Sequence, residues 1–303
     1  MNEIICEDSC KWIAGVESAS VDAIISDIPY GIGYEDWDVL HSNTNSAYGG
    51  SSAGQESAGG LFKRRGKPLN GWSEEDKKIP YEYQQWCSTW AADWLRVLKP
   101  GSSCIIFAGR RFAHRCIIAL EDAGFTFKEM LAWEKPKAPF RAQRLSAVYD
   151  RRGDTESAEQ WSGWRLANPR PLFEPILWFQ KPYKTGGTIA DNVLDFSVGA
   201  WNENALSSLA DGVSRQPCSN ILQVKIDKTD TGLHPTQKPL ALMECLVRLV
   251  TQEGQLVVDP FAGSGTTCAA AKILNRNYIG IEANAEMARV ARDRLSSISD
   301  SLF

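Results

Sequence analysis

A short polar motif, Asp27-Ile28-Pro29-Tyr30, follows directly after an apolar stretch of the chain. The β-branched and apolar residues of 22–26 predict a buried strand. Because ligands of open α/β sheets bind at the carboxyl ends of strands, the motif stands where a ligand would be held. The Asp27 carboxylate can accept hydrogen bonds from the amine of a flat ring, and Tyr30 can stack on that ring. Taken alone, the same residues also fit an ordinary Asp-x-Pro turn.

A second motif, Asp-Pro-Phe-Ala-Gly-Ser-Gly-Thr-Thr at 259–267, lies far along the chain. It separates a predicted strand at 255–259 from a predicted helix at 266–274, and the next predicted strand, 277–282, ends in Glu282. This is the layout of a nucleoside-binding βαβ unit, in which a strand is followed by a glycine loop, a helix and a second strand that ends in an acidic residue.

The residues of this unit indicate which nucleoside it suits. Gly263 and Gly265 allow the backbone to approach a ligand closely, and the Glu282 carboxylate can accept hydrogen bonds from two ribose hydroxyls. The third glycine of a dinucleotide fingerprint and the lysine of a phosphate-binding loop are both missing after Gly265. The loop therefore suits a nucleoside without a diphosphate, such as S-adenosylmethionine, and disfavours a nicotinamide-dependent oxidoreductase.

Strands and helices alternate around these two motifs. This alternation predicts an α/β fold with a doubly wound, mostly parallel sheet. In the predicted helix at 81–98, Trp86, Trp90 and Trp94 recur at a spacing of four residues and are predicted to lie in the core. The other predicted strands are 3–6, 103–108, 125–133 and 174–179, and the other predicted helices are 9–13, 111–121, one after Pro239 and one capped by Asn284.

Three segments with little regular pattern interrupt the single catalytic domain expected for 1–303, namely 31–80, 134–172 and 184–233. Between Lys135 and Lys181 the chain carries nine basic and five acidic residues, and the aromatic residues Phe140, Tyr149, Trp161 and Trp164 are interleaved with them. Such a composition suits phosphate contacts and base stacking, although a solvated charged loop is the alternative. The candidate DNA contacts are Lys63, Arg64, Arg65, Arg141 and Arg144.

The composition excludes several other classes of protein. The hydrophobic fraction of 43% and the charged fraction of 23% are typical of a globular protein, and the net charge of −4 argues against a uniformly basic surface. No apolar run is long enough to span a membrane, and the first residues lack the pattern of a secretory signal. The eight cysteines form no Cys-x-x-Cys pair, which predicts reduced thiols in the cytoplasm and no metal site.

The two motifs together with His234-Pro235-Thr236-Gln237-Lys238-Pro239 resemble the amino-group DNA methyltransferases, the N6-adenine and N4-cytosine enzymes of bacterial and phage modification systems. The order, with the catalytic motif before the cofactor loop, is that of the permuted β group. The resemblance covers 1–40, 80–135 and 234–296. It implies a seven-stranded Rossmann-like sheet, S-adenosylmethionine as cofactor and double-stranded DNA as substrate. It also implies a homodimer in many members and a cognate restriction endonuclease that acts separately.

The resemblance also implies roles for individual residues. Asp27 matches the catalytic acid, the main-chain carbonyl of Ile28 a second acceptor, and Tyr30 the residue that stacks on a flipped base, with Pro29 between them. Ile28 stands where the family normally has proline, which removes one rigid residue from this loop. The residues implied to bind the cofactor are Asp8, at the adenine amine, with Asp27, Lys238, Asp259, Phe261, Gly263, Gly265, Thr266 and Glu282.

These observations predict a site-specific DNA methyltransferase that transfers a methyl group to the exocyclic amine of a flipped base. An aspartate at position 27, rather than a serine, favours adenine N6 within the family. The alternatives are N4-cytosine methylation on the same scaffold and an inactive DNA-binding relative. An RNA or small-molecule methyltransferase fits less well, because the permuted order and the large insertions point to DNA.

Overall fold

One sheet of eight strands dominates the computed structural model, which describes residues 1–31, 74–138, 140, 142–166, 168–207, 218–224 and 237–298. The apolar segments of the sequence supply these strands. They are β1 (Glu3–Ile5), β2 (Val21–Asp27), β3 (Leu98–Phe107), β4 (Thr126–Glu134), β5 (Phe173–Gln180), β6 (Ile221–Gln223), β7 (Leu256–Asp259) and β8 (Asn277–Ile281).

The spatial order of the strands is β1-β8-β7-β2-β3-β5-β4-β6. All neighbours are parallel except β5, which runs antiparallel to both β3 and β4. The predicted doubly wound, mostly parallel α/β sheet is therefore confirmed. The sheet has one strand more than the seven implied, because β6 forms inside the segment predicted as an insertion and pairs with the edge of β4.

Strand β2 lies in the middle of the sheet, between β7 and β3. Ile24 pairs with Val258 on one side and with Cys104 on the other. Because β2 and β7 are parallel neighbours, their carboxyl ends meet at the same edge of the sheet. The fold thus brings the end of the first motif's strand beside the start of the glycine loop.

Helices cover both faces of the sheet, as a central parallel sheet requires. On one face Ile24 and Ile106 pack with the helices that follow β2 and β3, and on the other Ile25 and Phe107 pack with the helices that follow β6, β7 and β8. The helices are α1 (Ser9–Ala14), α2 (Glu74–Val97), α3 (Ala113–Asp122), α4 (Ser146–Asp150), α5 (Thr155–Gln160), α6 (Ile189–Phe196), α7 (Glu203–Ser207), α8 (Leu240–Val250), α9 (Thr266–Ile273) and α10 (Ala285–Ser297).

Helix α2 begins at Glu74, earlier than the predicted start at 81, since Pro80 lies inside the helix instead of before it. Trp90 and Trp94 are buried, which confirms that they belong to the core. The segments predicted as irregular also contain the short helices α4 to α7. Within the described part of the chain, no helix is long and apolar enough to cross a membrane. All eight cysteines are free thiols.

Candidate active site

Strand β2 delivers Asp27 to the carboxyl edge of the sheet, where both of its carboxylate oxygens are engaged. The Tyr30 hydroxyl lies 3.0 Å from Oδ1, and the Lys238 ammonium donates to Oδ2 at 2.5 Å. The Asp27 side chain remains 26% exposed, whereas that of Lys238 is only 6% exposed. Asp27 is therefore a partly accessible acceptor, and its partner cation is buried in the protein.

Tyr30 packs tightly against the loop that follows β3. A Cβ atom built on Gly109 would lie 2.9 Å from the Cβ of Tyr30, closer than real contacts allow. Only glycine therefore leaves room for Tyr30 in this position. The Lys238 ammonium lies 5.3 Å from the centre of the tyrosine ring, a further contact that orients it.

Glu174 and Lys135 join this cluster, although sequence reasoning did not select them. Glu174 is buried, and its Oε1 accepts from Lys238 Nζ at 3.1 Å and from the Tyr30 hydroxyl. Its Oε2 forms an ion pair with Lys135, the residue that follows β4. A glutamate inside the apolar strand Phe-Glu-Pro-Ile-Leu-Trp-Phe-Gln was the signal that could have identified this position.

Two carboxylates and two ammonium groups thus balance their charges in a largely buried cluster. Burial and the nearby Glu174 carboxylate raise the pKa of Asp27 above its usual value, although Lys238 lowers it. Burial would also raise the pKa of Glu174, but Lys238 and Lys135 outweigh this effect and hold it at about 2. Burial alone would lower the pKa of Lys238, yet the two carboxylates raise it. Glu174 and Lys238 are therefore ionised at neutral pH.

The residues between Asp27 and Tyr30 anchor the loop from below. Ile28 is buried in the apolar cluster beneath the loop, which also contains Tyr83 and Phe112. The Pro29 carbonyl accepts a hydrogen bond of 3.3 Å from the Tyr83 hydroxyl. The isoleucine that replaces the family's proline is thus stabilised by hydrophobic burial, and packing supplies part of the rigidity that proline would give.

Asp259, at the end of β7, is buried and forms hydrogen bonds with neighbouring residues of the protein. Its Oδ1 accepts from the Ser26 hydroxyl at 2.6 Å and from the Phe261 amide at 3.1 Å. Burial raises its pKa to about 6, although hydrogen bonds from Ser26, Thr267 and Phe261 lower it. Asp259 therefore shapes the glycine loop and ties it to β2.

The glycine loop and Glu282 form an open cradle. Gly263 donates its amide to Glu282 Oε2 at 2.9 Å, and Glu282 Oε1 accepts from the Asn284 amide at 2.7 Å. Among the described residues, a Cβ atom on Gly263 would meet no atom within 4 Å, whereas one on Gly265 would touch Ala291 at 3.0 Å. Gly263 thus borders space that no described residue fills, beside a carboxylate, and Gly265, with φ of 76°, is the N-cap residue of α9. This arrangement fits a nucleoside.

The remaining predicted cofactor residues surround this cradle. Phe261 packs on Trp86 and Trp94 of α2, with ring centres 5.7 and 6.1 Å apart. Thr266 is buried, and its hydroxyl accepts from Arg294 at 2.8 Å. Asp8 is exposed and caps α1 by accepting from the Lys11 amide. Asp8 stands near Glu282 because the preceding residues, Ile5 and Glu7, pair with the Glu282 backbone.

The predicted DNA contacts are only partly described. Lys63, Arg64, Arg65 and Arg141 lie outside the described residues, as do His234, Pro235 and Thr236. Arg144 is exposed and pairs through its backbone with Arg165. The Arg165 and Arg170 guanidinium groups lie 4.8 and 5.1 Å from the ring centre of the exposed Phe140. Among the residues with described positions, no three potential metal ligands come together.

Comparison with known sequences shows which proteins this chain is similar to. A family profile described as DNA methylase, covering N6 and N4 enzymes, matches residues 21–293. The chain is 59% identical over 298 residues to the type II methyltransferase M.HindIII of Haemophilus influenzae, covering 98% of this chain and 96% of that protein. It is 27% identical to the type II methyltransferase M.HpaI of Haemophilus parainfluenzae, covering 97% and 74%.

Solved structures share the fold. M1.HpyAVI in complex with SAM superposes with a TM-score of 0.54 at 22% identity, covering 97% of this chain and 98% of that one. The cytosine-N4-specific PvuII DNA methyltransferase gives a TM-score of 0.62 at 17% identity, covering 99% and 87%. TTHA0409 of Thermus thermophilus, solved with S-adenosyl-L-methionine, gives 0.57 at 18% identity, covering 98% and 95%.

Proposed function

The chain belongs to the DNA methylase family of N6-adenine and N4-cytosine enzymes, and from this premise we propose that it methylates adenine at N6. The reaction is methyl transfer from S-adenosylmethionine to an exocyclic amine of DNA. The observation that carries the choice of adenine is Asp27, since a carboxylate instead of a serine at this position favours adenine within the family.

Asp27 acts on the amine. An exocyclic amine is a poor nucleophile because its lone pair is delocalised into the ring. The carboxylate of Asp27 and the main-chain carbonyl of Ile28 accept the two amine hydrogens and favour a tetrahedral nitrogen with an available lone pair. Positioning and electrostatics supply most of the rate, and no covalent enzyme intermediate is needed.

Tyr30 holds the base. A target inside a duplex must be flipped out before it can reach Asp27. The tyrosine ring, which is supported by Gly109 and oriented through its hydroxyl, provides the stacking face. Such a contact contributes about 1–3 kcal/mol.

The cradle beside Glu282 holds the cofactor. S-adenosylmethionine supplies an electrophilic methyl group on its sulfonium. The Glu282 carboxylate, already fixed by two amide groups, accepts hydrogen bonds from the ribose hydroxyls. Phe261, Gly263 and Gly265 line the same space, and Asp8 receives the adenine amine. Asp259 and Thr266 are buried and support the loop through their hydrogen bonds.

The exposed arginine cluster contacts DNA. Arg165 and Arg170 lie against the exposed ring of Phe140, and Arg144 pairs through its backbone with Arg165. This cluster belongs to the segment that begins at Lys135 beside Glu174. Guanidinium groups suit phosphate contacts, and an exposed ring suits base stacking. Lys63, Arg64, Arg65 and Arg141 stay predicted contacts outside the described residues.

The biological setting follows from the same similarity. The 59% identical relative is named a type II methyltransferase, which supports modification of a specific DNA sequence alongside a restriction endonuclease. A cytoplasmic location, where DNA and cofactor meet, is part of the proposal. The homodimer stays a prediction.

Nucleoside analysis tests the choice of base. The purified protein is incubated with unmethylated bacterial DNA and methyl-labelled S-adenosylmethionine, and the DNA is then digested to nucleosides. N6-methyldeoxyadenosine is the expected labelled product. Label in N4-methyldeoxycytidine would overturn the choice of adenine. If correctly folded protein gives an unlabelled digest, methyl transfer itself is overturned.

A further inference from the structure

The Lys238 ammonium lies between two carboxylates. Its Nζ is 2.5 Å from Asp27 Oδ2 and 3.1 Å from Glu174 Oε1. The side chains of Lys238 and Glu174 are 6% and 8% exposed, whereas that of Asp27 is 26% exposed. The ammonium therefore has two carboxylates within reach, and that of Glu174 is the more buried of the two.

The target amine and Lys238 compete for Asp27. Both are nitrogen donors, and Lys238 already donates to Oδ2 while Tyr30 lies at Oδ1. Methylation also places positive charge on the amine nitrogen before that nitrogen loses a proton. A second cation in contact with the same carboxylate opposes this charge. Transfer of Lys238 to Glu174 would free Oδ2 for the amine and would remove this opposition.

Glu174 is equipped to receive it. A buried ammonium without a partner is strongly destabilising, so Lys238 needs another carboxylate when it leaves Asp27. Glu174 provides Oε1 for this purpose, while Lys135 neutralises Oε2. The Tyr30 hydroxyl lies against the same Oε1 and so connects the position of the stacking ring to this exchange.

We propose that Lys238 occupies the place of the target amine on Asp27, and that Glu174 is a positioning residue that receives Lys238 when the amine enters. This inference rests on the methyl transfer proposed above. It assigns to Lys238 a role at the base instead of one at the cofactor.

A double-mutant experiment distinguishes this exchange from a merely structural role. In Glu174→Gln, Lys238 stays on Asp27, and kcat should fall at least about 10-fold while the cofactor Kd changes less than about twofold. Adding Lys238→Met removes the competing cation, so the double variant should regain activity relative to Glu174→Gln alone. Structural damage predicts the opposite, because a second buried change would lower activity further.

Controls keep the outcomes separate. Glu129→Gln removes a carboxylate at an exposed position of β4 and should leave kcat unchanged. Glu174→Asp, which keeps the charge, should be more active than Glu174→Gln. If the wild type methylates DNA but the double variant is no more active than Glu174→Gln, the exchange is wrong and the proposed function stands. If the wild type transfers no methyl group, the proposed function fails first.

A structure of the wild-type protein with target DNA tests the exchange without any substitution. Lys238 Nζ should lie within hydrogen-bond distance of Glu174 and beyond that distance from Asp27. An ammonium that still contacts Asp27 beside a flipped base would overturn the proposal.

Discussion

Ser26 donates a hydrogen bond of 2.6 Å to Asp259, although 233 residues separate them along the chain. The residue after Ser26 is Asp27, the proposed acceptor of the amine, and the residues after Asp259 form the proposed cofactor loop. A single buried contact therefore joins the ends of the two strands that, in our proposal, hold the base and the cofactor. Since each end is also fixed in the sheet, strand packing sets the distance between these two proposed sites.

Asp27→Ala should abolish methyl transfer and leave cofactor binding nearly intact. The change removes an acceptor of the amine hydrogens, and the loss of rate should be at least about 100-fold. Lys238 keeps Glu174 as a partner in this variant, so the fold should persist. Label transfer measures the rate and calorimetry the cofactor Kd, with Asp122→Ala at the exposed end of α3 as control. Retained activity would remove Asp27 from its role.

Glu282→Gln should weaken cofactor binding by about 10-fold or more, because hydrogen bonds to a carboxylate contribute about 1.5–3 kcal/mol. The amide nitrogen of glutamine also cannot accept from Gly263 and Asn284 as the carboxylate does. Calorimetric titration with S-adenosylmethionine measures the effect. Glu286→Gln, an exposed change four residues further on, is the matched control. An unchanged Kd would contradict the assigned ribose contact.

Gly109→Ala should displace Tyr30 and lower kcat/KM for DNA by about 10-fold, within the range that one base stack is worth. The added methyl group would lie 2.9 Å from the tyrosine Cβ. Gly15→Ala is the matched control, since among the described residues its methyl group would have a single ordinary contact, at 3.6 Å. Steady-state kinetics with both variants gives the comparison. Equal losses in the two variants would show that Tyr30 is not the cause.

The free energy of unfolding should depend on pH through the ionisation of Glu174. Burial opposes ionisation, but Lys238 and Lys135 lower the folded pKa from 4.5 to about 2. Because the folded pKa lies below the unfolded value, this contribution is present above pH 4.5 and is lost as the pH falls toward 2. It amounts to about 3 kcal/mol. Urea unfolding of the wild type and Glu174→Gln should show a difference in free energy that shrinks over this range; a constant difference would contradict it.

Arg144→Gln should weaken DNA binding and make it less sensitive to salt. Arg144 is exposed and pairs through its backbone with Arg165, one of the arginines that flank Phe140. Loss of one phosphate contact should reduce the slope of log K against log salt by about 1. Binding titrations at several salt concentrations measure the slope. Arg289→Gln, exposed on α10, is the control, and an unchanged slope for Arg144→Gln would remove this residue from the DNA surface.

Much of the fold was predictable because its strands are apolar and its turns are marked by glycine and proline. Strand β2 and the βαβ unit around Gly263 have short local signals, and both occur as predicted. Helix α2 begins at Glu74, earlier than the predicted start at 81, and it includes Pro80.

Glu174 could not be placed from sequence because the direction of its strand is not a local property. In a parallel strand its position near the amino end would lie at the opposite edge from Asp27. Strand β5 runs antiparallel between β3 and β4, so its beginning lies beside the ends of its neighbours. Long-range pairing sets the direction of β5, and this direction brings Glu174 to the same edge of the sheet as Asp27.

The contact between Phe261 and the tryptophans of α2 gives the protein an optical property. Indole emission responds to the packing and polarity of its surroundings, and Trp86 and Trp94 pack on the Phe261 ring of the glycine loop. Any displacement of that loop changes the environment of two intrinsic fluorophores. The aromatic support of the loop is therefore also a built-in reporter of its position, readable without a label.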